Sequence, residues 1–474
     1  MNSDESNRVE TNPEKFAERI PAGFTVGVAT SAFQIEGAVR EGGRGPSTWD
    51  EFMGQKGRIL DGSTAAVAAD HYHRYREDVA LTKELGVDSY RFSLAWPRIQ
   101  PGGTGPANRE GVAFYDRLLD ELLAAGIRPM VTLYHWDTPE PLQHKGGWLN
   151  RDTAYRFSDY ALLAAEAFGD RVDSWVTINE PATVMLNGYA LGIHAPGAAM
   201  LFDALPAAHN QLLGHGLAVQ ALRSVGVKGG IGITNVHSPV VAARDRVADR
   251  FFAKVFDTVH NRIFADPVLL GRYPKPPFRA GKLFRVLEEV DPDDLAIIHQ
   301  PLDFYGLNYY LPSRIQAGAS EDGATPDGES EAMRSVPFSI LPWPEFAQTG
   351  FGWPVAPEYL GVALGEMAER YGDSLPPVYI TEGGVSYPDA RSGSGGFHDD
   401  RRIDYLAEHL AVVLGGSPGV DLRGYYVWSL LDNWEWAAGY SQRFGLVHVD
   451  VDTQERTPKD SFRWLQAVLA ARGT

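Results

Sequence analysis

Eight short runs rich in β-branched and aromatic residues recur along almost the whole 474-residue chain, each followed by a longer stretch of helical periodicity. The runs are "FTVGVATS" (24–31), "DSYRFSLAW" (88–96), "IRPMVTLYHW" (from 127), "DSWVTINE" (from 173), "GGIGITNV" (from 229), "LDFYGLNYY" (from 302), "PVYITEGG" (from 377) and "GYYVWSLLDN" (from 424). Runs this apolar are strands buried on both faces, and strands separated by helices form a parallel sheet. The economical reading is an α/β fold, a closed (β/α)8 barrel. A doubly wound open sheet is the alternative, disfavoured because no glycine-rich dinucleotide fingerprint follows the first strand.

Between the runs, Ala154, Phe157, Ala161, Ala164, Ala165 and Phe168 recur at helical spacing after a candidate cap at Asp152, and Ile403, Leu406, Leu410 and Val413 share another helical face. Glycine turns in "LGVDSYRF", "AGIRPMVT" and "GVKGGIGI" end helices just before strands. No linker divides the chain, so the expectation is a polar N-terminal tail over 1–20 and one barrel domain over 21–474, with extended loops at the C-terminal face of the strands. Residues 36–70 are a glycine-rich connection. Residues 316–350 are a polar, acidic insertion, suited equally to a mobile surface loop and to a wall of the site.

The formal charge of −18 repels phosphate backbones and anionic lipid, so no nucleic-acid or membrane partner is expected. Without cysteine there is neither a thiolate metal site nor a cysteine nucleophile. The acidic N-terminus lacks the pattern of a secretory signal, and no apolar run is long enough to span a bilayer; the expectation is a soluble cytoplasmic protein.

In a (β/α)8 barrel the C-terminal strand ends face the substrate. Those ends carry Gln34 and Glu36; Arg91 and Trp96; His135 and Trp136; Asn179 and Glu180; Asn235; Asn308 and Tyr310; Glu382; and Trp428, with Glu435 and Trp436 just beyond. Carboxylates, amides and indoles together suit a sugar, whose hydroxyls need polar partners and whose C–H face packs on aromatic planes. Two strand-tip glutamates, in "VTINEP" and "VYITEGG", supply the two carboxyls that glycoside hydrolysis requires.

With these residues in place, the chain resembles family 1 glycoside hydrolases, the β-glucosidase family, over nearly its full length. The resemblance lies in "DHYHRYREDVALTKELGVDSYRFSLAWPRI", "VTLYHWDTP", "NEP", "HAPG", "GLNYY", "ITEGG" and "NWEW", found in that order. It implies that Glu180 is the acid/base and Glu382 the nucleophile of a retaining double displacement, the first protonated near neutrality and the second ionised. It further implies that Arg91 and Tyr310 support the nucleophile and that Asn179 binds the sugar 2-hydroxyl. Gln34, His135, Trp136, Asn308, Glu435 and Trp436 would complete the glycone site, with Trp428 as its floor, Phe444 as a wall and Trp353 at the aglycone entrance.

The expected substrate is a small β-glycoside such as a cellobiose-like or aryl β-glucoside, as in cellulose degradation, with no metal or organic cofactor. A leaning towards galactosides or fucosides is the nearer alternative. Glu435 is expected to repel the phosphate of a 6-phospho-β-glycoside. Departures from the family pattern are Gly383 where asparagine is usual, Val26 where tryptophan is common, and Ala182 where a bulky aromatic is frequent, the last expected to open the aglycone side. A sugar-binding barrel without catalysis and a metal-dependent barrel hydrolase, suggested by His71 and His73, are the readings from other classes.

Overall fold

The computed structural model describes residues 10–277, 281–389, 391 and 395–472, without the side chains of 281–283. Its centre is a closed, all-parallel barrel of eight strands: β1 (Thr25–Ala29), β2 (Ser89–Ser93), β3 (Arg128–Tyr134), β4 (Ser174–Asn179), β5 (Gly230–Val236), β6 (Phe304–Asn308), β7 (Val378–Gly383) and β8 (Leu422–Trp428). Each strand pairs with its sequence neighbours, and β8 closes on β1 with Ala29 beside Trp428. All eight sequence runs become barrel strands, and closure removes the open-sheet alternative.

Strands this short are stable only because both faces are covered. Inside, Met130, Val176, Phe304 and Tyr426 fill the barrel below Trp428, while outside the strands meet an apolar layer of helices. Helix Asp152–Phe168 buries the six residues whose spacing marked it, but its cap differs from expectation: Asp152 is the first helical residue, and the Asn150 side chain accepts its N–H at 3.0 Å. Helix Asp400–Leu414 buries Leu406, Leu410 and Val413, with Ile403 half-buried. Gly86, Gly126 and Gly226 take positive φ at the three helix-to-strand turns, where a side chain would be strained.

Of the tail expected over 1–20, residues 1–9 lie outside the described residues. Pro13–Ala17 form a short helix that buries Phe16 edge-on against Trp464, 5.5 Å between ring centres. The 36–70 connection carries helix Thr48–Met53, whose Trp49 is buried against Trp436 and Trp434. Within the insertion, Phe338–Leu341 pair with Ser313–Ala317, and those residues with Val240–Ala242, in a three-stranded sheet beside the barrel mouth. Among the described residues no helix is long and apolar enough to cross a membrane.

Candidate active site

Both strand-tip glutamates follow a break in strand register. On β7 the pairing shifts between Ile380 and Glu382, and on β4 between Val176 and Asn179. Such irregularities re-aim the side chain that follows, and Glu180 and Glu382 both line one cavity of about 210 Å³ at the C-terminal mouth of the barrel. Glu180, Trp136 and Trp436, all in that lining, also hold left-handed backbone, with φ of 46°, 78° and 50°. A non-glycine residue held there costs about 1–3 kcal/mol and persists only where the surroundings enforce it.

The two carboxyls have different company. Glu382 accepts hydrogen bonds from Arg91 Nη1 on β2 (2.5 Å) and from the Tyr310 hydroxyl (2.8 Å). Both partners are donors, and one of them is a cation. Burial, followed by the Glu382 carboxylate, pushes the Tyr310 hydroxyl well above its ordinary pKa, so it stays a donor. Glu180 instead accepts from neutral groups, Asn308 Nδ2 (2.7 Å) and the Thr183 hydroxyl (2.7 Å). Burial and then the charge of Glu382 push Glu180 up to about 8.

Asn179 ties the pair together. Its Oδ1 accepts from Arg91 Nη2 (2.6 Å) and Asn308 Nδ2 (3.2 Å), so one chain of bonds runs from Glu382 through Arg91, Asn179 and Asn308 to Glu180. The Nδ2 of Asn179 donates to His135 Nε2 at 3.2 Å, which requires a neutral imidazole. Burial, aided by the nearby Arg91, holds His135 well below its usual pKa. That ring lies nearly parallel to Trp428 and Trp436, at 5.8 and 5.9 Å.

At the end of β8, Glu435 Oε2 accepts from Gln34 Nε2 (3.0 Å). Burial and then Glu382 push Glu435 up to about 8. Among the described residues no cation is bonded to Glu435, so a sugar phosphate would find no counter-charge at that side chain. Trp136 donates Nε1 to the Asn179 carbonyl (2.9 Å) and packs on Trp436. Trp353 stacks on Phe351 at 4.5 Å and, with Phe444, forms a wall beside Tyr310.

Most residues singled out in the sequence thus meet in one place. His135, Trp136, Glu180, Tyr310, Trp353, Glu382, Trp428, Glu435, Trp436 and Phe444 line the cavity, while Gln34, Arg91, Asn179 and Asn308 stand behind it. Asn308 binds Glu180 and Asn179, a part different from the sugar contact expected of it.

Three strand-end residues lie elsewhere. Trp96 is fully buried against Tyr160, Glu36 bonds Arg98 and Tyr115, and Asn235 donates to the Tyr305 hydroxyl. His71 is buried on Asp78, and His73 sits exposed between Asp70 and Glu41. The site also holds residues that sequence reasoning missed. Thr183 is one, and the insertion supplies Thr325, Pro326 and Asp327, the last accepting from Asn187 at 2.8 Å. Trp353 Nε1 donates to the Pro326 carbonyl, which pins the insertion to the cavity wall.

Two of the three departures are explained locally. A Cβ on Gly383 would lie 2.2 Å from the buried Tyr425 hydroxyl, so asparagine cannot enter unless that ring moves. Ala182 is buried in the main core and does not line the cavity, so it does not open the aglycone side as expected; Met185 and Leu186 face the cavity instead.

A family model described as glycosyl hydrolase family 1 matches residues 16–474. The chain belongs to glycosyl hydrolase family 1. A β-glucosidase from Agrobacterium sp. is 44% identical over 97% of this chain and 97% of its own length. A bifunctional β-D-glucosidase/β-D-fucosidase from Bifidobacterium breve is 43% identical over 95% of this chain and 98% of its own. The crystal structure of a psychrophilic β-glucosidase from Micrococcus antarcticus superimposes with a TM-score of 0.89 at 44% identity, covering 97% of this chain and 99% of that one. This family 1 chain is a glycoside hydrolase, an enzyme acting on small glycosides.

Proposed function

We propose that this family 1 enzyme is a retaining β-glucosidase that releases terminal β-glucosyl residues by double displacement, with Glu382 as nucleophile and Glu180 as acid/base. The observation that carries this reading is the unequal pair: one cavity carboxyl held by a cation and a phenol, the other by neutral donors and raised to about 8. Unlike surroundings for two carboxyls are what acid and nucleophile need.

In the first step Glu382 attacks the anomeric carbon, the glycosidic C–O bond breaks, and Glu180 gives its proton to the leaving oxygen. The glycosyl-enzyme is then hydrolysed when Glu180, now a carboxylate, takes a proton from water and the hydroxide displaces Glu382. In this reading His135 and Glu435, which line the cavity, meet the sugar hydroxyls and Trp428 and Trp436 its ring face, while Asn179 and Gln34, behind the lining, orient His135 and Glu435 through their hydrogen bonds. A broader glycone range that includes fucosides is the second reading, favoured by the bifunctional relative.

The test is release of nitrophenol from nitrophenyl β-glucoside, β-galactoside, β-fucoside and 6-phospho-β-glucoside by wild type and Glu382→Ala. Cleavage of the unphosphorylated glucoside, lost in the variant, supports the proposal, and the fucoside arm decides the second reading. A wild type that binds glucose and turns over none of the four would make the chain a binding protein.

A further inference from the structure

The cavity continues beyond the carboxyls on the side of the leaving group. The π-helical segment Val184–Ala190, starting four residues after Glu180, supplies Met185 and Leu186 to its wall. Helix Val247–Asp257 adds Phe256, and the insertion adds Val336, Phe338 and Ile340. Since Glu180 is the group that protonates the leaving oxygen, the chamber built by the segment after it is where the aglycone goes.

Several polar groups in that chamber are already engaged, although the buried Nδ1 of His194 has no partner. The Ser238 hydroxyl donates to the Leu311 carbonyl (2.9 Å) and lies 2.7 Å from Ser313 Oγ; His260 Nδ1 is 2.9 Å from Asn261 Oδ1; Asn187 donates to Asp327. A second sugar placed there would give up water for its hydroxyls and find few replacements, a net cost. A hydrocarbon would lose nothing and would bury apolar surface.

We infer that the chamber selects β-glycosides with an apolar aglycone, a medium-length alkyl or isoprenoid chain, over β-linked disaccharides such as cellobiose. This rests on the β-glucosidase reading and goes beyond it by naming the leaving-group class. Cellobiose is then a slow substrate, and hydrolysis of amphiphilic glucosides is the favoured reaction.

The experiment measures kcat/KM of the wild type for methyl, butyl, hexyl and octyl β-glucoside, each below its micelle-forming concentration, and for cellobiose, with nitrophenyl β-glucoside as reference. The expected result is a rise of about 4-fold per methylene while the chain is still entering the chamber, the ratio given by burial of one methylene. Octyl glucoside should then exceed cellobiose by on the order of tenfold or more. In Leu186→Asn and Ile340→Asn, both at half-buried wall positions, the octyl-to-methyl ratio should fall several-fold. A flat alkyl series with cellobiose cleaved as well or better overturns the inference while leaving the β-glucosidase reading intact. An unchanged octyl-to-methyl ratio in both variants also overturns it. Failure to cleave even the nitrophenyl glucoside removes both.

Discussion

The tips of β4 and β7 present the same residue at the same level of the barrel and make different reagents of it. At β7, Glu382 meets Arg91 and Tyr310, and the strand remains extended into Gly383. At β4, Glu180 turns into left-handed backbone and meets only an amide and a hydroxyl, in a position where burial is the largest influence on its proton. Position in the fold makes both glutamates candidates, but the neighbouring strands decide which donates a proton and which attacks.

The sharpest way to break the contrast is to remove the nucleophile. Glu382→Ala should lose on the order of 10⁴-fold or more in kcat towards nitrophenyl β-glucoside, about 5 kcal/mol at the transition state, while glucose binding followed by tryptophan fluorescence persists. Next in size is Arg91→Met, which deprives Glu382 of its cation and Asn179 of a donor. A loss of about 10²–10³-fold in kcat/KM is expected, the usual consequence of deleting an electrostatic partner at a reacting centre; activity within a few-fold of wild type would show that Tyr310 alone suffices.

These two effects concern residues that were visible in the sequence, and the reason is physical. Strands buried on both faces have a compositional signature, and any polar residue ending one is conspicuous. Asn179, Glu180, Asn308 and Glu382 stand out in this way, and Arg91 as a charge in the middle of a buried strand.

What was not legible comes from segments without that signature. Thr183, Met185 and Leu186 lie in short helical turns whose winding sets which side chains reach the cavity. Asp327 belongs to an acidic insertion that reads as loop until the Trp353 indole fixes it to the wall. Trp96 misled because it sits just past its strand end, in a short helix that carries it into the helical layer against Tyr160. The left-handed backbone at Glu180, Trp136 and Trp436 is equally silent, since no glycine marks it.

Sharpening the comparison from the other side, Glu180→Gln should depend on the leaving group. A methyl or octyl glucoside, which needs protonation, should lose about 10²–10⁴-fold, whereas a dinitrophenyl glucoside should retain its first-step rate within a few-fold, read as a burst followed by slow turnover. In the wild type, kcat/KM should fall as pH rises through about 8, when Glu180 gives up its proton.

The same group has a stability signature. A carboxyl raised in the folded state above its value in the unfolded chain binds its proton more tightly when folded. Its contribution is fully present below the unfolded value of about 4.5 and is lost progressively as pH rises to about 8. Glu180→Gln should therefore flatten the decline of Tm over that window. The smallest effect is expected of Thr183→Val. The Thr183 hydrogen bond lowers the Glu180 pKa, so its removal should move the alkaline limb to higher pH with kcat changed only a few-fold. A shift to lower pH would contradict the assignment of that bond.

The division of labour between the two strand tips is tested most directly by trapping the glycosyl-enzyme. Wild type and Glu180→Gln are each incubated with dinitrophenyl 2-deoxy-2-fluoro-β-glucoside, digested, and the labelled peptide is sequenced by mass spectrometry. One fluoroglucosyl group on Glu382 in both proteins is the expected result. A label on Glu180 or on Glu435, or inactivation without any covalent sugar, would contradict the account.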